Sequence, residues 1–146
     1  MLDQRSEEVT WAGSTYQTIL KTENTGGNIC IVDSTTEPFV GPPLHVHENE
    51  DEAFVVLSGE IEFSVDGEIS RRGPGEAVFI PRGVEHSFRV VSDTPSRHLV
   101  ILTPGGFEGF FYDMARGGFQ IPQDMDKVNE SAARHSMIFT GPPLGA

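Results

Sequence analysis

Apolar and polar residues alternate in short runs along most of the chain, and turn residues separate the runs. The runs are rich in β-branched and aromatic side chains. They predict strands near Thr15–Leu20, Asn28–Asp33, Glu52–Leu57, Glu60–Val65, Ala77–Ile80, Ser87–Val91 and Arg97–Thr103. Before Gly105 no long segment repeats its apolar positions at the helical period. Many short strands at regular spacing indicate an all-β sandwich or barrel. The pattern changes after Gly106. Phe107–Arg116, stopped by Gly117-Gly118, and Pro122–His135, opened by a proline suited to a first helical turn, predict two short helices packed on the end of the barrel. The closing Gly141-Pro-Pro-Leu is expected to be irregular, and its echo of Gly41-Pro-Pro-Leu is read as coincidence.

Alternation also assigns faces. With Ser58-Gly59 as a two-residue turn, Val56 faces Ile61, Phe54 faces Phe63 and Glu52 faces Val65. These six then share one face. Five are apolar, so Glu52 is a carboxylate on an interior face, and burying an unpaired charge is costly. The opposite face mixes Glu60, Glu62 and Ser64 with Val55 and Leu57, so part of it is available to pack on another sheet or subunit. A plain two-residue loop at Asp66-Gly67 turns Ile69 outward, so a bulge or a longer loop is expected there.

Composition narrows the function. The 146 residues fit a single domain, with 37% hydrophobic and 22% charged residues, as in an ordinary folded protein. Ten Lys+Arg against 22 Asp+Glu give a net charge of -12, which argues against nucleic acid and anionic membrane as partners. No apolar stretch approaches the ~18 residues of a membrane span. The N-terminus Met1-Leu-Asp-Gln-Arg-Ser-Glu-Glu is polar and carries no visible leader. The single cysteine, Cys30, excludes an internal disulfide and a thiolate metal cluster; it reads as a core thiol in a cytoplasmic protein. Metal chemistry must therefore use His and carboxylate.

His45-Val46-His47 supplies it. Two residues apart on an extended segment, both imidazoles point to one side. Glu52 follows five residues on, and a cation supplies the positive charge its burial demands. His86, after the turn Pro81-Arg-Gly-Val-Glu, gives a third imidazole. Three imidazoles and a carboxylate suit one divalent ion per chain: iron, manganese, cobalt, nickel, copper or zinc. Glu50, in the acidic run Glu48-Asn-Glu-Asp, is an alternative ligand in what otherwise reads as an exposed turn.

These residues carry a resemblance. Pro42-Pro-Leu-His-Val-His-Glu-Asn-Glu-Asp-Glu-Ala-Phe-Val-Val-Leu-Ser-Gly59 resembles the first motif of the cupin superfamily: His-x-His, three or four residues, Glu, six residues, Gly. Gly75-Glu-Ala-Val-Phe-Ile-Pro81-Arg-Gly83-Val-Glu-His86 resembles the second, Gly-x5-Pro-x-Gly-x2-His. The glycine usual upstream of His-x-His lies closer, at Gly41, and the asparagine frequent four residues past the last histidine is Val90; neither is a ligand. The nearest likeness is to single-domain cupins of the quercetin 2,3-dioxygenase-like kind. The resemblance implies a double-stranded β-helix, a jelly-roll barrel of about residues 14–104, with a helical extension of about 107–136. The metal then lies near one mouth, held by His45, His47, Glu52 and His86, with one or two positions open. Pairing of two such barrels into a homodimer is expected by the same analogy.

Period-two alternation puts Phe88 on the face of His86 and Phe54 on that of Glu52, with Phe63 opposite Phe54. These three are the candidate substrate pocket, suited to a flat, apolar small molecule. Phe107, Phe110, Phe111, Tyr112 and Met114 form either a lid or the buried face of a helix. His98 and His135 lie outside both motifs and read as structural or exposed. The resemblance implies a dioxygenase acting on an aromatic or enol-type substrate, with Glu52 as catalytic base. The alternatives are a non-oxidative isomerase, cyclase or decarboxylase, and a non-catalytic binding module. A phosphorylated substrate fits poorly, because Arg71, Arg72, Arg82 and Arg89 are the only basic residues near the motifs and Arg89 faces away.

Overall fold

A computed structural model of the protein describes residues 5–145. The beginning of the polar N-terminal stretch, residues 1–4, lies outside the described residues. Eleven strands form in chain order: β1 Val9–Trp11, β2 Ser14–Leu20, β3 Cys30–Thr36, β4 Pro43–His47, β5 Asp51–Ser58, β6 Ile61–Val65, β7 Glu68–Arg72, β8 Ala77–Ile80, β9 His86–Val90, β10 Ser96–Thr103 and, last, β11 Met137–Pro143. Two helices, α1 Glu108–Gly117 and α2 Met125–Arg134, precede β11. The strands make two antiparallel sheets, one ordered β1-β2-β3-β10-β5-β8 and the other β11-β4-β9-β6-β7. Their inner faces enclose one core, a double-stranded β-helix.

Alternation explains the core directly. On β10, Ser96, His98, Val100 and Leu102 are buried and the residues between them are not; β3 and β5 read the same way. Cys30, Val32, Val56, Ile61, Phe63, Ile80, Val90 and Leu102 are all but inaccessible to solvent. Burial pushes the Cys30 thiol up to about 12, with the nearby Glu108 charge adding to the effect, so it behaves as an inert apolar group.

The structure corrects four local expectations. First, β5 and β6 are not a hairpin. The face assignment holds, with Glu52, Phe54, Val56, Ile61 and Phe63 all buried, but β5 pairs with β10 and β8 while β6 pairs with β9 and β7. The chain changes sheets at Gly59, whose φ of 77° is left-handed and where a Cβ would fall 2.8 Å from the Ser96 Cα. Alternation specifies which side a residue faces and leaves its neighbouring strand open. Second, Asp66-Gly67 is a plain two-residue loop, both residues at positive φ, with Val65 opposite Glu68. No bulge intervenes, and Ile69 does turn outward, 55% exposed.

Third, the Gly141-Pro-Pro segment is part of an edge strand. Met137, Ile138 and Phe139 pair with His47, Val46 and His45, and Pro143 meets Pro43. Proline is tolerated there because one side of an edge strand needs no partner for its amides. Fourth, Pro122 precedes α2 instead of opening it. Asp124 is the residue before the helix, and its carboxylate accepts a hydrogen bond from the Gln120 amide across the intervening turn. The short strands β1 and β7 carried no clear signal of their own.

α1 and α2 close one flank of the barrel. Phe110 and Met114 of α1 and Val128 and Ala132 of α2 bury the apolar sides of the two helices. Glu108 ties α1 to the rest: its carboxylate accepts hydrogen bonds from the Thr22 hydroxyl and from the Thr22 and Gly106 amides.

Candidate metal centre and cavity

β4 runs through its sheet with Pro43, His45 and His47 buried and Leu44 and Val46 turned away. His45 lies opposite His86, the first residue of β9. Glu52 approaches from the other sheet, on β5, flanked by Leu102 and Ile80. One ligand atom from each of His45, His47, Glu52 and His86 lies within 4.8 Å of all the others, and all four residues are buried. Three strands from two sheets, β4, β5 and β9, thus deliver four donors to one place.

Two of the three imidazoles are oriented by backbone carbonyls. His45 Nδ1 sits 2.7 Å from the Pro43 carbonyl and His86 Nδ1 2.9 Å from the Val84 carbonyl. A carbonyl only accepts, so both Nδ1 atoms carry hydrogen and both Nε2 atoms are left for the centre. These backbone partners are what a metal-binding histidine needs to hold its ring. His47 Nδ1 has no hydrogen-bond partner; its closest acidic group is Glu50 Oε1 at 3.8 Å. Glu50 is itself buried, contrary to the exposed-turn reading, while Glu48 and Asn49 are exposed. It lies outside the four-residue cluster.

The electrostatics follow from burial and crowding. Burial pushes the Glu52 carboxyl up, but His47, His86 and His45 more than offset this and hold it at about 2. Burial, reinforced by the neighbouring imidazoles, drives His45 down to about 3 and His47 down as well. For His86, burial works downward but the hydrogen bond and charge of Glu52 prevail, and its pKa is raised. Burial and the Glu52 charge push Glu50 up to about 7. The centre is therefore an ionised carboxylate among three imidazoles, of which His45 and His47 resist protonation. A cation bound by nitrogen and oxygen at about 2.0–2.2 Å needs donors some 3–4 Å apart, so small side-chain adjustments suffice to seat it. The donor set fits a divalent transition metal.

The centre opens onto a cavity of about 290 Å³. His45, His47 and Glu52 are in its wall, and so are Phe54 and Phe88 as expected. Phe63 does not line it. It is 0% exposed and packs behind the wall, its ring 5.1 Å from Phe54 and 6.2 Å from Phe88. α1 contributes Phe107, Phe110 and Phe111, so the helix's apolar side is at once core and cavity wall; Phe107 stands edge-on to His47 at 4.4 Å. Among the described residues, no Lys or Arg lines the cavity. Arg89 indeed faces away, over the Phe39 ring.

Of the two readings of His98, structural or exposed, its burial excludes the second. His98 is fully buried, lines the cavity, and packs against both Phe54 and Phe88 with ring separations of 5.7 and 5.4 Å. Its position in an alternating strand marked it as inward-facing, and that was the signal available. His135 is half-buried and donates from Nδ1 to the Ser131 carbonyl.

Comparison with known proteins agrees with this geometry. The profile of the cupin domain family matches residues 34–102, a span that includes all four donors. Quercetin 2,3-dioxygenase of Bacillus subtilis (strain 168) is 29% identical over 96 residues, 66% of this chain and 28% of that protein. The chain thus spans under a third of that relative's length. The polyketide cyclase RemF of Streptomyces resistomycificus superposes with a TM-score of 0.56 at 27% identity, over 67% of this chain and 70% of that one. KdgF of Halomonas sp. superposes with a TM-score of 0.64 at 19% identity, over 71% and 91% of the two chains. With both motifs in place on a double-stranded β-helix, the chain carries a cupin domain over residues 34–102.

Proposed function

We propose that the protein is a metal-dependent dioxygenase acting on an aromatic or enol-type small molecule. One observation carries this reading: four buried donors converge, three of them in the wall of an aromatic cavity that, among the described residues, no Lys or Arg lines. Such a cavity favours a flat, largely apolar substrate and disfavours phosphates. The 29% identity to a quercetin 2,3-dioxygenase points to the same class. His45, His47, Glu52 and His86 hold one divalent ion, which when bound supplies a Lewis acid for a deprotonated substrate oxygen and access to dioxygen chemistry.

The chain's own residues then do the rest. The Pro43 and Val84 carbonyls fix two imidazoles. Phe54 and Phe88 flank the substrate ring, and Phe107 shields His47 from water. Glu52, held ionised, is the group placed to accept the substrate's hydroxyl or enol proton at Oε1 or Oε2. Two copies work as a homodimer; the apolar outer side of β5 and β8, with Leu57 and Phe79 exposed, supports pairing there, and light scattering measures it.

The likeness to a polyketide cyclase favours a second reading, a non-oxidative cyclisation or isomerisation at the same centre. One experiment separates the two. The iron-, nickel- and cobalt-loaded protein is incubated with flavonols and diketones, with and without oxygen. Oxygen uptake above that of free metal supports the dioxygenase. Product formed equally well without oxygen supports the second reading.

A further inference from the structure

Among the described residues, six buried side-chain polar atoms have no hydrogen-bond partner. His47 Nδ1 belongs to the metal centre, and Glu50 Oε1 lies beside it at 3.8 Å. Both ring nitrogens of His98 and the hydroxyl of Ser34 lie elsewhere, and they lie side by side: His98 is directly opposite Ser34 in the β10–β3 pair. Both residues line the cavity, and they are 0% and 1% exposed. Ser96 Oγ is also unpaired but does not line it. Nearby Ser14, by contrast, is satisfied by the Thr36 hydroxyl at 2.7 Å.

The position is remote from the metal centre. Along β10 the residues facing inward opposite Glu52, Phe54 and Val56 are Leu102, Val100 and His98. His98 is therefore four strand positions from the level of Glu52, about 13 Å of backbone. Between the two levels the cavity wall is Phe54, Phe88 and Val100.

We propose that His98 and Ser34 form a second recognition subsite, which binds a neutral hydroxyl group at the end of an aromatic ligand remote from the metal. The proposal deepens the reading of an aromatic or enol-type substrate and rests on it. A buried donor or acceptor without a partner is destabilising, so polar groups are kept in an apolar wall where a ligand or water completes them. Burial holds His98 neutral, its pKa lowered to about 4. A neutral imidazole offers one donor and one acceptor, and a serine hydroxyl offers both. Together they match a phenol or alcohol, which both donates and accepts. An anion is disfavoured, since Glu52 and Asp33 both place negative charge near His98 and no cationic side chain lines the cavity. The flanking Phe54 and Phe88 rings require that the hydroxyl arrive on a flat scaffold. The cavity thereby reads both ends of its ligand.

The test uses benzoylacetone and its para-hydroxyphenyl analogue, a pair differing only in a hydroxyl distant from the diketone. Both are titrated anaerobically into the zinc-loaded protein, the Ser34→Ala variant and the His98→Phe variant. The hydroxylated compound binds the parent about tenfold more tightly, as one well-formed buried hydrogen-bonded group provides. In both variants that preference falls to about one while the affinity for benzoylacetone changes little. No preference in the parent, or one that survives both substitutions, overturns the subsite. If neither diketone binds, the enol-substrate reading fails. The subsite is then decided on the unmodified protein with phenol, followed through the His98 ring signals in NMR. Saturable shifts support it, and their absence overturns it.

Discussion

Glu52 Oε1 lies 2.8 Å from His86 Nε2, although the two residues are 34 positions apart and sit in different sheets. With His86 Nδ1 donating to Val84, this is a buried carboxylate–imidazole contact on the inner surface of the barrel. Both atoms are in the four-donor cluster and would be ligands to a divalent ion seated there. The same contact defines what substitutions at the centre do.

Replacing Glu52 with Gln keeps the shape and removes the charge and the basic oxygen. Turnover of any substrate the parent accepts falls by about 10²–10⁴, the usual contribution of a positioned general base. Rate measurements with metal content determined on the same samples check this. Unchanged turnover at equal metal occupancy contradicts the role of Glu52.

His98 makes stability depend on pH in a defined direction. Burial lowers its folded-state pKa to about 4, outweighing the opposing charges of Glu52 and Asp33. The unfolded chain, with an ordinary histidine near 6.5, binds the proton first, so ν for the unfolded state exceeds that for the folded state between these values. Folding stability therefore falls as pH drops from about 6.5 to about 4, by on the order of 3 kcal/mol from this group. Because His45 acts in the same sense, the quantity to follow is the difference between the parent and His98→Phe in urea unfolding at each pH. The variant loses that part of the acid sensitivity.

The two glycines at strand crossings differ in their tolerance. At Gly67 the only penalty for Ala is the positive φ of 79°, with nothing within 4 Å of an added Cβ, so the cost is about 1 kcal/mol. At Gly59 the same conformational penalty is joined by a collision with the Ser96 backbone at 2.8 Å. Gly59→Ala destabilises by several kcal/mol, at least about 2 kcal/mol more than Gly67→Ala, in paired denaturant titrations. Equal costs would contradict the close approach of the Gly59 and Ser96 backbones.

The metal donors were legible because their signal is local. His45 and His47 share a face by alternation, and Glu52 and His86 stand at motif spacings that need no knowledge of strand pairing. Partners were not legible. Val56 and Ile61 share an interior without sharing a sheet, since period-two patterning is blind to which strand lies alongside. β11 was hidden by composition, its Gly-Pro-Pro reading as loop when the edge position excuses the missing amides. Phe63 and Phe54 have the same pattern, yet only Phe54 reaches the cavity, because ring packing and not face decides which one is in front. His98 had no companion in the sequence; Ser34 becomes its neighbour only through the β3–β10 pairing.

Metal content of the purified protein, set beside that of His47→Ala, measures convergence of the four donors on one ion most directly. About one divalent ion per chain is expected in the parent and almost none in the variant. Chelation should lower the thermal midpoint of the parent alone, as a ligand held only by the folded state requires. A parent that takes up no divalent ion, or a variant that retains as much as the parent, would contradict a shared metal centre at His45, His47, Glu52 and His86.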